Sequence, residues 1–203
     1  MDEIRAMNPG DISSVVEVHL ASFQGFFLSS LGARFLNEFY RCVLLDETHI
    51  AFVCLNEDTI SGFVVGTAQP AGFYRRTLKS NWSRFILASA PPVLKNPIMA
   101  LRLLKRLIMV KGTAFDHGQA LLMSIAVDPD EQGKGIGNLL LAAFLRESKS
   151  RGLLSVLLTT DAVNNESVNG FYLHGGFRLS RVYITPEKRQ MNEYVYEMSI
   201  LSE

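Results

Sequence analysis

QGKGIGNLL, residues 132–140, places three glycines, a lysine and a glutamine between an apolar strand pattern and an apolar helix pattern. Glycine permits left-handed backbone and lets another molecule approach the backbone N–H groups closely. The N–H groups of residues 132–137 precede a predicted helix, whose first turn attracts anions through free donors and its dipole. Lys134 adds a mobile positive charge and Gln132 a side-chain donor. The stretch therefore predicts a diphosphate site, and a tight turn that binds nothing is the alternative.

Two familiar phosphate motifs fit this stretch incompletely. The P-loop pattern GxxxxGK[ST] is absent. The dinucleotide pattern GxGxxG fits at Gly133 and Gly135, but Asn138 stands where the last glycine is required. Asp161 supplies an acidic residue at the end of the next predicted strand, so a nucleotide-dependent oxidoreductase stays open. That pattern usually belongs to a repeated strand–helix–strand sheet, whereas one such unit is seen here, at 119–161.

The bulk properties narrow the class of protein. The chain has 203 residues, 48% of them hydrophobic, which predicts one domain over 1–203 with a sizeable core. Twenty basic and twenty acidic residues balance, so a nucleic-acid partner is not expected. Cys42 and Cys54 indicate buried small residues in a reducing compartment, and no Cys/His cluster suggests a metal. Without a long apolar run or a signal-peptide pattern, we expect a cytoplasmic protein.

Apolar periodicity divides most of the chain into helices and strands. The predicted helices are 11–23, 30–44, 135–151 and 165–176. The predicted strands are 49–56, 59–69, 119–129, 153–161, 177–185 and 193–201. This order predicts a mixed α/β fold around a central sheet.

Two motifs give the sequence a resemblance to a known family. The first is IAVDPDEQGKGIG, which sets Gln132, Gly135 and Gly137 in the signature [QR]-x-x-G-x-[GA]. The second is NESVNGFYLHGGF, with Asn165, then Tyr172, then a Gly-Phe pair. In this order the motifs resemble those of the GCN5-related N-acetyltransferases (GNAT). The resemblance implies a central mixed, mostly antiparallel sheet flanked by helices.

The resemblance also implies acetyl-CoA as the acetyl donor and no metal. Its diphosphate would bind the amides of 133–138, and its pantetheine arm would follow the strand at 125–127, where two neighbouring strands splay apart. Asn165 would help to hold the arm. The implied cofactor-binding residues are Ile125, Ala126, Val127, Gln132, Gly133, Lys134, Gly135, Ile136, Gly137, Asn138 and Asn165.

The implied reaction is direct attack of a neutral primary amine on a thioester. It needs a donor for the developing oxyanion and an acid for the departing thiolate. By resemblance, a backbone N–H of 124–127 is the donor and Tyr172 is the catalytic acid, since a phenol pKa of about 10 suits a thiol leaving group.

The general base is not identified by the sequence. Many family members carry a glutamate at positions like 121–124, where this chain reads LLMS. His117, Glu17 and His19 are candidates, and none is assigned. Because this carboxylate is missing, a non-catalytic CoA-binding sensor stays an alternative.

Residues 71–118 have no place in the basic family pattern and hold nine basic residues against one acid. Prolines divide this segment into two predicted helices, which form a basic helical insertion. The positive charge of this insertion is compatible with three roles. It could form a face exposed to solvent, bind a phosphorylated or nucleotide-linked acceptor, or make peripheral contact with an anionic membrane. Phe23, Phe26 and Phe27 are predicted to line the acceptor site.

The favoured acceptor is a small-molecule amine, namely an amino sugar or its nucleotide conjugate. Peptide N-termini and other small amines stay open. A homodimer is the one assembly that we consider.

Overall fold

The computed structural model describes residues 2–73, 76–77, 115, 117–186 and 188–198. Most of the predicted insertion at 71–118 therefore lies outside the described residues. The helices are α1 Ile12–Ser22, α2 Phe27–Ser30, α3 Gly32–Leu45, α4 Ile136–Ser150 and α5 Glu166–His174. The strands are β1 Glu3–Ala6, β2 His49–Asn56, β3 Thr59–Thr67, β4 Gln119–Val127, β5 Ser155–Asp161, β6 Arg178–Ile184 and β7 Gln190–Glu197.

These strands form one seven-stranded sheet in the order β1-β2-β3-β4-β5-β7-β6. β4 and β5 run parallel, and the other neighbours run antiparallel. The prediction of a mixed, mostly antiparallel sheet is confirmed. Strand β1 was not predicted: it has four residues, EIRA, whose two ends are exposed, so it offers no hydrophobic alternation to recognise.

Helices cover both faces of the sheet and divide the core into two clusters. On one face, α1 and α3 pack against β2 and β3 through residues that include Val15, Phe35 and Phe39. On the other face, α4 and α5 pack through Leu140, Phe144 and Tyr172. Phe35, Phe39 and Val43 repeat every four residues in the predicted helix 30–44. All three belong to the first cluster, because they share the side of α3 that faces the sheet.

The sheet opens between β4 and β5. The two strands pair over Gln119–Leu121 with Ser155–Leu157, and from Leu122 onward they separate. β4 continues to pair with β3, and β5 continues to pair with β7 as far as Asp161. The predicted splaying of these two strands is therefore confirmed, and it leaves a gap in the middle of the sheet.

Candidate active site

A cavity of about 700 Å³ occupies the gap between β4 and β5. Its walls come from both faces of the sheet. His19, Ser22 and Phe23 line it from the α1 side, and Ile136, Phe171 and Tyr172 line it from the α4 and α5 side. The cavity therefore crosses the sheet, and two molecules that enter from opposite faces would meet at the gap.

The glycine loop owes its shape to positive φ angles. Gly133 has φ +80° and Gly135 has φ +85°, and a Cβ at either position would meet only open space. These glycines are needed for backbone conformation, because a side-chain residue rarely adopts this region. Gly135 is also the residue that caps the start of α4.

The amides at this helix start are only partly used within the protein. The N–H groups of Asn138 and Leu139 donate to the Gly135 carbonyl at 3.0 and 3.2 Å. The amides that precede Asn138 belong to the turn and first residues of α4, where helical partners do not exist. Gln132, Gly133, Gly135, Ile136, Gly137 and Asn138 all line the cavity, as the sequence predicts for a phosphate-binding turn.

Lys134 is held away from the cavity wall by an ion pair. Its Nζ lies 2.7 Å from Oε2 of Glu131, which also accepts a hydrogen bond from Asn56 at 3.3 Å. The hydrogen bond from Lys134 lowers the pKa of Glu131. Lys134 does not line the cavity, so contact with a diphosphate would require it to leave Glu131.

Strand β4 supplies the floor of the cavity. Ile125 and Val127 pack toward the α4 side, whereas Ala126 is buried against the α1 side. The Val127 carbonyl accepts a hydrogen bond from Oγ of Ser22 at 3.0 Å. This contact, which sequence patterns do not reveal, ties α1 to the end of β4 and occupies one backbone acceptor at the edge of the gap.

Asn165 anchors the start of α5 to the end of β5. Its Nδ2 donates to Oγ1 of Thr160 at 2.8 Å and to the carbonyl of Asp161 at 3.0 Å. Because both amide hydrogens have protein partners, its carboxamide oxygen is the atom left to accept from a ligand. Asn165 lines the cavity, and its contact with a cofactor stays a prediction.

A second asparagine was missed by the sequence analysis. Asn169 donates to the carbonyls of Asp161 and Asn165, and its Oδ1 accepts from Asn192 and Tyr194, both at 2.9 Å. Asn169 thus links α5 to β7. The sequence feature that could have identified it is its position one helical turn after Asn165.

Tyr172, the predicted acid, is 6% exposed and lines the cavity. The rings of Phe171, Phe177 and Tyr194 lie 5.2 to 6.0 Å from its own, centroid to centroid. Burial raises the pKa of its phenol above the usual range. The hydroxyl therefore stays protonated at neutral pH and can donate a hydrogen bond to the departing sulfur. The raised pKa no longer matches that of a thiol as the sequence analysis expected, so full proton transfer is less favourable, and the catalytic role of Tyr172 stays a prediction.

The α1 side of the cavity carries an aromatic and charged rim. Phe23 and Phe26 line it, whereas the side chain of Phe27, also predicted there, lies outside the described residues. Arg189 forms a two-point ion pair with Asp161, at 3.1 and 2.5 Å, and its guanidinium carbon lies 5.9 Å from the centre of the Phe26 ring. Sequence analysis missed Arg189 because nothing in the turn before β7 marks it.

The three candidate bases differ in their access to the cavity. Glu17 and His117 are exposed and do not line it. His19 lines the cavity and is 2% exposed, and burial lowers its pKa to about 4. At neutral pH an imidazole with this pKa is a weak base, so none of the three matches the task of accepting the amine proton.

Comparison with known proteins identifies the family. The model of the acetyltransferase (GNAT) family matches residues 13–177. The chain therefore belongs to this family and is an acyltransferase that uses acetyl-CoA. This finding replaces the oxidoreductase and the non-catalytic sensor as interpretations of the glycine loop.

Solved structures support the same fold. The ribosomal-protein-S18-alanine N-acetyltransferase of Escherichia coli matches with a TM-score of 0.63 and 17% identity, over 100% of this chain and 97% of that one. A GNAT acetyltransferase from Desulfovibrio desulfuricans matches with a TM-score of 0.65 and 17% identity, over 97% of this chain and 99% of that one. The PaiA N-acetyltransferase of Thermoplasma acidophilum, solved in complex with coenzyme A, matches with a TM-score of 0.58 and 17% identity. The match covers 97% of this chain and 99% of that one. No curated protein sequence matches this chain at a significant level.

Proposed function

We propose that this enzyme transfers the acetyl group of acetyl-CoA to a primary amine of a small molecule. The favoured acceptor is an amino sugar or a nucleotide-linked amino sugar. The observation that carries this proposal is the rim formed by Phe26, Asp161 and Arg189. An aromatic ring suits the apolar face of a sugar, and a guanidinium suits a phosphate. Nε and Nη2 of Arg189 already donate to Asp161, so a phosphate would bind the remaining N–H groups or take the place of Asp161.

The residues of the α4 side fit the donor. Positive φ angles at Gly133 and Gly135 open a turn whose amides precede α4, and this turn would hold a diphosphate. The backbone of 125–127 and the carboxamide oxygen of Asn165 would hold the pantetheine arm in the gap. When bound, acetyl-CoA supplies the acetyl group as a thioester.

The chemistry then needs few groups from the protein. The gap brings an amine from the α1 side to the donor without a covalent intermediate on the enzyme. A backbone N–H of 124–127 stabilises the developing oxyanion, and the protonated phenol of Tyr172 donates to the departing sulfur. The proton of the amine leaves through solvent, since the three candidate bases do not suit the role.

An acceptor screen tests this proposal. Glucosamine, glucosamine 6-phosphate, a UDP-linked amino sugar and an alanine-initiated peptide would each be incubated with acetyl-CoA, and release of free thiol would be measured. We expect turnover with the amino sugars and a lower KM for the phosphorylated ones. Turnover with the peptide alone would overturn the assignment of the acceptor.

A pair of arginine variants sharpens the screen. Arg189→Ala should raise the KM of the phosphorylated amino sugar about tenfold, because it removes the guanidinium at the rim. Arg178→Ala is the matched control: Arg178, on β6, pairs with Glu197, on β7, at 2.7 Å and does not line the cavity. Equal KM values for both variants would exclude Arg189 from the acceptor site.

Three further predictions concern the location of the enzyme, its assembly and its contact with membranes. Within the described ranges, no helix is both long and apolar enough to span a bilayer. A cytoplasmic location, a homodimer and a peripheral membrane contact through the basic insertion stay predictions.

A further inference from the structure

One polar atom in the wall of the cavity has no partner in the described part of the protein. His19, on α1, lines the cavity and is 2% exposed. Its Nδ1 lies 2.7 Å from the hydroxyl of Tyr40, a buried residue of α3. Its Nε2 is also buried, and no described atom is hydrogen bonded to it. Burial of a polar atom without a partner costs free energy, and folded proteins keep few of them.

The neighbours of His19 show which of its two nitrogens a molecule in the cavity can reach. Tyr40, beside Nδ1, does not line the cavity. Phe63, whose ring stacks on the imidazole with 6.3 Å between centroids, does not line it either. Phe23 does line it, and its ring centroid lies 4.7 Å from that of His19. Because the two imidazole nitrogens point in different directions, Nε2 points away from Tyr40 and is the nitrogen open to a ligand.

Access to Nε2 requires a small movement of Phe23. This residue follows the last residue of α1, and its side chain is only partly buried. Gln24 and Gly25 come next and are exposed. Because Phe23 lies outside the helix and at the border of the cavity, its ring can change position while α1 stays in place.

The environment of His19 decides which chemical group suits Nε2. Aromatic rings surround the imidazole, and burial lowers its pKa to about 4, so the ring is neutral at neutral pH. In a neutral imidazole, Nε2 is a donor or an acceptor, according to which nitrogen carries the hydrogen. A hydroxyl satisfies both forms, because it donates and accepts. An ammonium only donates and a carbonyl only accepts.

We propose that Nε2 of His19 binds a hydroxyl group of the acceptor and makes the enzyme selective for hydroxylated amines. His19 lies on the α1 side of the cavity, whereas the glycine loop that would hold the donor lies at the start of α4. Amino sugars, amino alcohols and peptides that begin with serine all carry a suitable hydroxyl. This inference rests on the proposed acetyl transfer but not on the choice of an amino sugar.

Two substitutions separate the roles of the two nitrogens. In His19→Asn the shorter amide takes the place of Nδ1, so the contact with Tyr40 is kept and the Nε2 position is lost. In His19→Gln the longer amide reaches the place of Nε2. We expect His19→Asn to lose the preference for a hydroxyl and His19→Gln to keep most of it. His49→Asn is the matched control: Nδ1 of His49, on β2, bonds the Asp46 carbonyl at 2.8 Å, and this residue does not line the cavity.

The preference is measured with acceptors that differ in one hydroxyl. Glucosamine would be compared with its single-deoxy analogues, and a serine-initiated peptide with the alanine-initiated one, by kcat/KM. In the wild type, at least one such pair should differ about tenfold, the effect of one hydrogen bond, and His19→Asn should abolish the difference. Turnover with the peptides alone would overturn the amino sugar, and the peptide pair would still decide the role of His19. A preference that is absent from the wild type, or equal in His19→Asn, would overturn the proposal.

A binding measurement needs no turnover. With CoA in place of acetyl-CoA, the acceptor binds without reacting, and nitrogen-15 spectra follow the imidazole of His19. We expect the Nε2 resonance to move on saturation with a hydroxylated amine and to move less with its deoxy analogue. Weaker binding of CoA by His19→Asn would assign the ligand hydroxyl to the donor. That result, or an Nε2 resonance that no hydroxylated amine moves, would overturn the proposal.

Discussion

A Cβ placed on Gly137 would lie 3.3 Å from Cε2 of Phe171, closer than side chains normally approach. Gly137 stands in the first turn of α4, and Phe171 stands on α5 and lines the cavity. Unlike Gly133 and Gly135, Gly137 has no positive φ. Its role is therefore to give space to a neighbouring ring rather than to bend the backbone.

Gly137→Ala should therefore fold and bind CoA more weakly. The added methyl would displace the Phe171 ring by a few tenths of an ångström into the cavity. We expect a loss of CoA affinity of about tenfold, measured by titration calorimetry, with a melting temperature close to that of the wild type.

Gly170→Ala is the matched control for this change. Gly170 lies on the same helix as Phe171, and its nearest neighbour to an added Cβ, Nδ1 of His174, is 3.9 Å away. This alanine should stabilise α5 by up to about 1 kcal/mol and leave CoA affinity as it is. Equal losses of affinity in the two variants would contradict the steric argument.

Gly66→Ala should be far more damaging, for a reason that concerns the fold. A Cβ at Gly66 would lie 2.2 Å from the Leu121 carbonyl oxygen and 2.6 Å from two ring carbons of Phe144. Backbone cannot yield as a side chain does, so we expect the free energy of unfolding to fall by about 3 kcal/mol or more. Urea denaturation checks this, and a stability within 1 kcal/mol of the wild type would show that β3 and β4 shift readily.

Tyr172→Phe tests the predicted acid. The phenol is buried and its raised pKa keeps it protonated, so its loss removes a donor but little packing. We expect kcat to fall about 100-fold and the dissociation constant of CoA to stay within twofold. An acetyl thioester donor with a better leaving group should recover part of the rate. A rate like that of the wild type would leave Tyr172 with a packing role.

The stability of the protein should depend on His19 at mildly acidic pH. Its pKa is about 4 in the folded state and about 6.5 when unfolded, so between these values the unfolded state binds more protons. The free energy of unfolding should therefore decrease as pH falls from 6.5 to 4, by about 3 kcal/mol. Urea denaturation at a series of pH values measures this loss.

His19→Asn provides the comparison, because asparagine does not titrate and keeps a polar atom near Tyr40. Its stability should change much less over the same range. Asp11, whose pKa is lowered mainly by the hydrogen bond from Arg5, adds a loss at still lower pH in both proteins. Parallel curves for the two proteins between pH 6.5 and 4 would contradict the assignment to His19.

The sequence was most informative where one pattern sets both structure and chemistry. The stripe of Phe35, Phe39 and Val43 predicts α3, and the glycines around Lys134 predict the turn before α4. Each follows from local rules, namely helical periodicity and the backbone freedom of glycine. The gap between β4 and β5 was expected through family resemblance, since no local rule says where two neighbouring strands part.

Other parts of the site depend on contacts distant in sequence. Arg189 meets Asp161 and Phe26 only because β7 lies beside β5 and the segment between α1 and α2 reaches the rim of the cavity. Tyr40 reaches His19 across the interface of α3 and α1, where its hydroxyl lies 2.7 Å from Nδ1 of the imidazole. In the sequence, these residues read as an ordinary surface arginine and an ordinary core tyrosine, and neither has a local signal for its partner.

Three residue pairs join β4 to β5, fewer than join any other two neighbouring strands of this sheet. The strands from β1 to β4 and those from β5 to β7 are two well-paired units that share this narrow seam. Native-state hydrogen exchange should resolve them as separately opening units, because cooperative opening follows the density of contacts. A pantetheine arm in the gap would supply the missing rungs, so the donor would serve as a temporary eighth strand whose departure loosens the whole sheet.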